Sequence, residues 1–443
     1  MKFRKFGKTL LTAALSSAIV FSLSSCVRSF TVGYLYVTGT VTATPSGNGI
    51  ITGFKIDNNT GKLVSLHGGI VSSGGANPVR IILLSGGRFV YVLNRGSNAS
   101  GGSVCTVADP CKNANIVQYV VGGNGVLTPQ QTYFTQGINP FRLIPDASGT
   151  YLFALDHDAP SGSDVYCQQL FTQTGCGDIT VFAINSSTGR LSLVTNGQLT
   201  SSSGGTSVTY FPTPSNPVDF VLAGGYVMTV SGTQFTGQTV YPYSTSTGNG
   251  QLTVSSSVPQ VINNGSGGLL RQATAIVYAG QKVYVLDNEA IAPSTTPGQI
   301  IPFTVGANGA LSSLVGGAVA DDATGTDPIY LILENKGKFV YVANQSGADA
   351  STGSTIAGFT LDPTSGTLSP TPNSPWGVGA NPVCMLEDPS NQFIYTANST
   401  GNSVTGRRVN PISGTLDNLN SSNKNDFALT GPASWCVATG RTN

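Results

Sequence analysis

The stretch FVYVAN, residues 339–344, is apolar at five consecutive positions and then turns polar. A strand with such a run must be buried on both faces, which a sheet with one solvent face cannot offer. The chain carries this demand seven times. The other copies are YLYVTG (34–39), FVYVLN (89–94), YLFALD (151–156), YVMTVS (226–231), KVYVLD (282–287) and FIYTAN (393–398). Seven short strands buried on both faces, with no sustained helical periodicity after residue 26, require sheets stacked against sheets all the way round.

Two further markers recur in step. Gly-x-Leu closes seven turns, as GKL (61–63), GVL (125–127), GRL (189–191), GQL (250–252), GAL (309–311), GTL (366–368) and GTL (414–416). Each follows a strand with an aromatic or apolar centre, such as VFAI or GFTL. From its second copy onward the FVYV phrase is preceded by another strand: NPVRIIL, NPFRLIP, NPVDFVL, RQATAIVY, DPIYLIL and NPVCMLE. A seventh copy, GPASWCVATG (431–440), ends the pattern with no phrase after it. We name the strands A (NPxx), B (FVYV), C (aromatic-centred) and D (after Gly-x-Leu). The chain opens with B, C and D, runs through six complete A–D units and closes with a lone A. Four short strands per unit predict propeller blades, and the leftover A completes the first blade. The expected fold is an all-β, seven-bladed β-propeller over 33–440 whose C-terminal strand joins the N-terminal blade.

The FVYVAN phrase, the Gly-x-Leu turn and the closing GPASW resemble the seven-bladed lactonase family, the YVTN-type propellers, over essentially all of 31–440. The resemblance implies the same fold and, for the enzymes of that family, hydrolysis of lactones such as 6-phosphogluconolactone. It also implies a site at one mouth of the ring built from His, Arg and acidic groups. In the lactonases, His residues occur near the starts of some A strands. Here those starts contain none.

Before the repeats lies a targeting segment. MKFRKFGK carries four positive charges and is followed by 15 residues with an apolar core, TLLTAALSSAIVFSL. This is too short for a transmembrane span and reads as a secretory signal. Leu23-Ser24-Ser25-Cys26 resembles a bacterial lipobox, implying cleavage after residue 25, lipidation of Cys26 and a linker over 26–32. Val27 in place of Asp leans towards the outer membrane. The expected partners are therefore a membrane, through the lipid anchor, and an envelope protein, glycan or small anionic ligand; the chain is expected to be monomeric. Only 9% of residues are charged and the net charge is +1, so there is no basic stripe for nucleic acid.

Without Cys26 six cysteines remain, an even number in an exported chain. Proximity pairs Cys105 with Cys111 and Cys167 with Cys176, leaving Cys384 and Cys436. With two histidines and no C-x-x-C, no metal site is expected, and no cofactor motif is present. The A–B and C–D turns are short, whereas the B–C and D–A connections are long, so any binding surface is expected on the long-loop face. Arg80 and Arg142, each two residues after the Pro of its A strand, are candidates to hold an anion. His157, flanked by Asp156 and Asp158, is the candidate catalytic base, with Asp158 as a ligand contact. The primary expectation is an anchored binding module; the alternative is a lactone hydrolase.

The lipobox reading has a direct consequence. Cys26→Ser should yield an exported protein that stays soluble, whereas the wild type partitions into detergent with membranes; a wild type fully soluble after membrane removal contradicts lipidation.

Overall fold

The structure is a computed structural model describing residues 30–41, 48–98, 109–200, 207–233, 238–256, 259–263, 272–288, 297–314, 317–321, 327–345, 353–419 and 425–440. Seven antiparallel sheets each run in the order A–B–C–D. The A strands surround a central channel: Ala433–Gly440 in blade 1, then Pro78–Leu83, Ile138–Pro145, Pro217–Ala223, Ala273–Ala279, Pro328–Leu333 and Pro382–Glu387 in blades 2 to 7. The B strands beside them are Thr31–Thr40, Phe89–Asn94, Tyr151–Asp158, Tyr226–Ser231, Lys282–Asp287, Phe339–Asn344 and Phe393–Asn398. The ring closes where Thr31–Thr40 pairs with Ala433–Gly440, Val37 lying opposite Cys436. Its first strand starts at Thr31, two residues before the expected boundary.

The FVYV strands are buried on both faces because alternate side chains serve two different cores. In blade 2, Tyr91 and Leu93 pack towards blade 3 with Leu143, Leu152 and Phe182. Val90 and Val92 pack towards blade 1 with Tyr36 and Ile51. Every residue of Phe89–Asn94, Phe339–Asn344 and Phe393–Asn398 is buried.

The other marker meets this strand across each blade boundary. All seven Gly-x-Leu glycines have left-handed backbone, with φ between 67° and 84°, a conformation costly for any residue with a Cβ. The first side chain of the preceding blade's B strand covers the same glycine, for instance Phe393 over Gly61, Phe89 over Gly189 and Phe339 over Gly414, leaving no room for a methyl group. At four joints the phrase tyrosine then donates its hydroxyl to that glycine's carbonyl: Tyr36 to Gly125 at 2.7 Å, Tyr341 to Gly414 at 2.8 Å, Tyr395 to Gly61 at 2.7 Å, and Tyr91 to Gly189. The two repeated motifs are two halves of one joint between blades.

Two disulfides are described in full. Cys384–Cys436, with Cα atoms 5.8 Å apart, ties the A strand of blade 7 to the closing A strand. For a separation of 52 residues, the chain-entropy model gives about 4 kcal/mol of stabilisation. Cys167–Cys176 pins the helix α1, Asp164–Phe171, within the B–C connection of blade 3. That helix has no clear amphipathic period, which is why it is not legible in the sequence; the cross-link and the buried Tyr166 and Phe171 hold it. Cys111 is disulfide-bonded, while Cys105, like Cys26, lies outside the described residues. Disulfides of this kind belong to an exported protein or an oxidising compartment. Among the described residues no helix is long and apolar enough to cross a membrane.

The outer edge departs from a simple fourth strand. In blades 3 to 7 a second short segment also pairs with the C strand; in blade 6 these are Leu368–Pro370 and Trp376–Gly377 on Thr355–Leu361. A broken outer strand shortens the edge open to pairing with other chains.

The blade joint sets a ranking of stability effects. Gly414→Ala should cost about 1–2 kcal/mol for the backbone conformation and about 1–3 kcal/mol for the overlap with Phe339. Tyr341→Phe, which only removes the donor to Gly414, should cost about 1 kcal/mol. Denaturant unfolding of both variants checks the order, and equal losses would contradict the joint.

Candidate functional site

Each A strand begins with a β-bulge, so the residue just past it is re-aimed relative to a regular strand. Around the ring these positions are Trp435, Arg80, Arg142, Asp219, Ala275, Tyr330 and Cys384. The repeat thus places one residue per blade at the same level of the inner strands, with Ala275 and Cys384 packed into the cores between blades. Trp435, Arg80 and Arg142 also line a cavity of about 320 Å³ at the long-loop mouth, with Arg95, Gln345 and Thr274.

The two sequence-predicted arginines share this cavity, but in different states. Arg142 donates from Nε to Asp219 Oδ1 at 2.8 Å, and Asp219 Oδ2 accepts the Ile276 N–H at 3.1 Å. Its charge is therefore matched within the ring. Arg80 has no such carboxylate. Its guanidinium carbon lies 3.3 Å from the centroid of the Trp435 ring, a cation–π stack. Tyr330 meets the same indole edge-on at 5.1 Å. Arg80 is 6% exposed, and its buried Nη1 meets no hydrogen-bond acceptor among the described residues. Burial, with Arg142 nearby, pulls it down to about 9, which leaves it charged at neutral pH. Arg95 adds a third cation whose Nε is likewise buried without an acceptor. Burial and Arg142 lower its pKa too, opposed by the field of Asp158.

His157 and Asp158 lie elsewhere. They line a separate recess of about 610 Å³ under α1, with Ser161, Asp164 and the Cys167–Cys176 bridge. His157 Nδ1 is 2.9 Å from Asp158 Oδ1, and Asn139 Nδ2 donates to Asp158 Oδ2 at 2.8 Å. Burial raises the Asp158 carboxyl, but these hydrogen bonds outweigh it and hold it below the ordinary value. Phe141 stands between the two sites: it lines the channel cavity and its ring centroid is 6.4 Å from that of His157. The arginines and the histidine do not converge on one pocket. Among the described residues no group of three or more His, Cys, Asp or Glu side chains is arranged to hold a metal ion.

Arg95, Asp219 and Trp435 were not singled out from sequence, although the repeat contained the signal. Arg95 follows FVYVLN as His157 follows YLFALD and Gln345 follows FVYVAN. Asp219 stands in NPVD where Arg80 and Arg142 stand in NPVR and NPFR.

Beneath the recess, Asp156 and Asp178 are directly opposed across strands B and C of blade 3 and are fully buried. Burial, with Asp158 nearby, raises Asp156 to about 8; burial and Asp156 raise Asp178 well above its usual range. Asp178 Oδ1 has no partner among the described residues. In blade 2 the same pair of positions holds Asn94 and Asn115, joined by a 2.8 Å hydrogen bond.

The sequence profile of the family described as Lactonase, 7-bladed beta-propeller, matches residues 298–430, from the C strand of blade 5 to the outer edge of blade 7. No curated protein is matched by the sequence. Among solved structures, the chain is similar to the periplasmic gluconolactonase of Pseudomonas aeruginosa, with 19% identity, a TM-score of 0.63, and coverage of 93% of this chain and 100% of that one. A candidate 6-phosphogluconolactonase from Bacteroides uniformis gives 17% identity and a TM-score of 0.63 with the same coverage. A protein from Lactobacillus plantarum gives 16% and 0.61, covering 92% of this chain and 99% of that one.

Buried acids with raised folded-state values release protons on unfolding, so stability falls as pH rises from the unfolded carboxyl range, about 4, through about 8. The slope is about 1.4 kcal/mol per pH unit for each proton released. Asp178→Asn should remove one of the two opposed buried acids, flatten this dependence and raise the melting temperature most at pH 8; an unchanged pH profile would exclude the opposed acids as its source. The chain therefore has a seven-bladed β-propeller fold, and its residues 298–430 match the profile of the lactonase-type propellers.

Proposed function

We propose that the chain is an exported, lipid-anchored propeller that binds a small carboxylate or phosphate ligand, of the sugar-acid class, at the long-loop mouth of its channel. The observation that carries this reading is Arg80, a buried guanidinium stacked on Trp435 and without a protein carboxylate. A buried charge is tolerable only when paired, solvated or neutralised by a ligand. An anion held between Arg80 and Arg95 meets that requirement, and planar guanidinium forks suit carboxylate and phosphate. Arg142, already paired with Asp219, positions the wall rather than supplying free charge. The sugar-acid class is suggested by the likeness to a gluconolactonase.

Hydrolysis is the second reading, favoured by the 2.9 Å His157–Asp158 contact, which orients an imidazole as a general base requires. Lactone opening also needs the substrate anchored beside that base and donors for the developing oxyanion. Here the unpaired arginines and the imidazole open into different cavities. Binding without turnover is therefore the better account.

Titration calorimetry with gluconate and 6-phosphogluconate tests it. Wild type should bind at least one of them, and Arg80→Met should weaken binding by about 10- to 100-fold, the effect of losing a charged hydrogen bond. Hydrolysis of gluconolactone should not exceed the spontaneous rate. Saturable lactonase activity abolished by His157→Ala would instead support the hydrolase.

A further inference from the structure

If Cys26 carries a lipid, the fold decides which way the propeller faces. The first strand begins on the short-turn face, where Phe30 is tied to the C–D turn of blade 1. Its N–H donates to Asn58 Oδ1 at 2.9 Å and its carbonyl accepts the Asn58 N–H at 3.0 Å. Four residues of chain lead from Cys26 to Phe30, and an extended chain advances at most about 3.6 Å per residue. The lipidated residue thus lies within roughly 14 Å of that face. The long-loop mouth is a further strand length away, about 33 Å for the ten residues of Thr31–Thr40. The tether is too short to reach round the blade.

The chemistry of the short-turn face agrees. Lys62, Arg88, Arg190, Lys336 and Lys338 are all exposed there. The carboxylates of the same turns are occupied locally. Asp57 accepts the N–H of Thr60, Asp146 those of Thr150 and Tyr151, Glu334 those of Lys336 and Lys338, and Asp388 those of Gln392 and Phe393. Cations point outward while the acids bend back into their own turns, which suits anionic headgroups. Two apolar side chains stand out on adjacent blades of this face: Ile412, 89% exposed in the C–D turn of blade 7, and Phe30, 56% exposed. Side chains of this kind enter the headgroup–acyl boundary.

We propose that the short-turn face docks on an anionic bilayer, with Ile412 and Phe30 at the interface and the arginine-lined mouth directed away from it. This rests on the lipid-anchor reading. The test uses full-length lipidated protein in vesicles of phosphatidylethanolamine and phosphatidylglycerol doped with brominated lipid. Tryptophan reporters are placed at Ile412→Trp and, as a second site on the same face, Ser85→Trp; Ser161→Trp reports the long-loop face. Emission added by the first two should be largely lost on bromination, while that of Ser161→Trp is retained. Vesicle flotation separates the two ways of failing. Protein that does not float overturns the anchor, and the orientation with it. Protein that floats with Ser161→Trp quenched, or with neither short-turn reporter quenched, overturns the orientation and leaves the anchor standing.

Discussion

The structure depends on one contact repeated around the ring: a side chain of one blade, aromatic everywhere except Lys282 over Gly366, seated on the left-handed glycine of the next. The glycine serves two ends at once. Its positive φ turns strand C into strand D, and its missing Cβ leaves room for the neighbouring blade's side chain. The tyrosine hydroxyl then satisfies the carbonyl of that same turn. A blade in isolation has two apolar faces and no partner. Stacked, each face finds its complement at a fixed height: at four of the seven joints the hydroxyl-to-carbonyl bond sets the vertical register, while the apolar core supplies most of the free energy.

A scaffold fixed this firmly leaves its inner strands free to vary at one level. The bulge at the start of each A strand places a single residue per blade at that level, and these seven positions are not chemically alike. Arg142 and Asp219 neutralise one another between neighbouring blades, Tyr330 and Trp435 pack across the channel, and Arg80 stacks on that indole. The site is therefore asymmetric although the fold is nearly symmetric. The asymmetry is concentrated where blades 1, 2 and 3 meet, beside the long B–C connection of blade 3 and its disulfide-pinned helix.

Much of this was legible in the sequence because it is local and repeated. The double-faced burial of FVYVLN follows from its unbroken apolar run, and ring closure follows from counting one A strand too many at the end. Arg80 and Arg142 were visible as equals because they occupy the same place in NPVR and NPFR. That equality was misleading in one respect: Asp219, two blades from Arg80 but next to Arg142, neutralises only one of them. No feature of spacing says which neighbour a guanidinium will meet across a channel. The placement of His157 shows the same limit. It ends a B strand at the mouth, as the repeat implies, but Phe141 separates it from the arginines.

The sequence by itself determined the seven blades and their strand order, since each is a short-range pattern of burial, backbone conformation and turn chemistry. The tertiary structure decided which repeated positions share a cavity, which charge remains unpaired, and that Cys384 meets Cys436 across the closure. Those relations hang on bulge geometry and on distances between residues far apart in the chain, where shifting one residue in a strand turns its side chain to the other face.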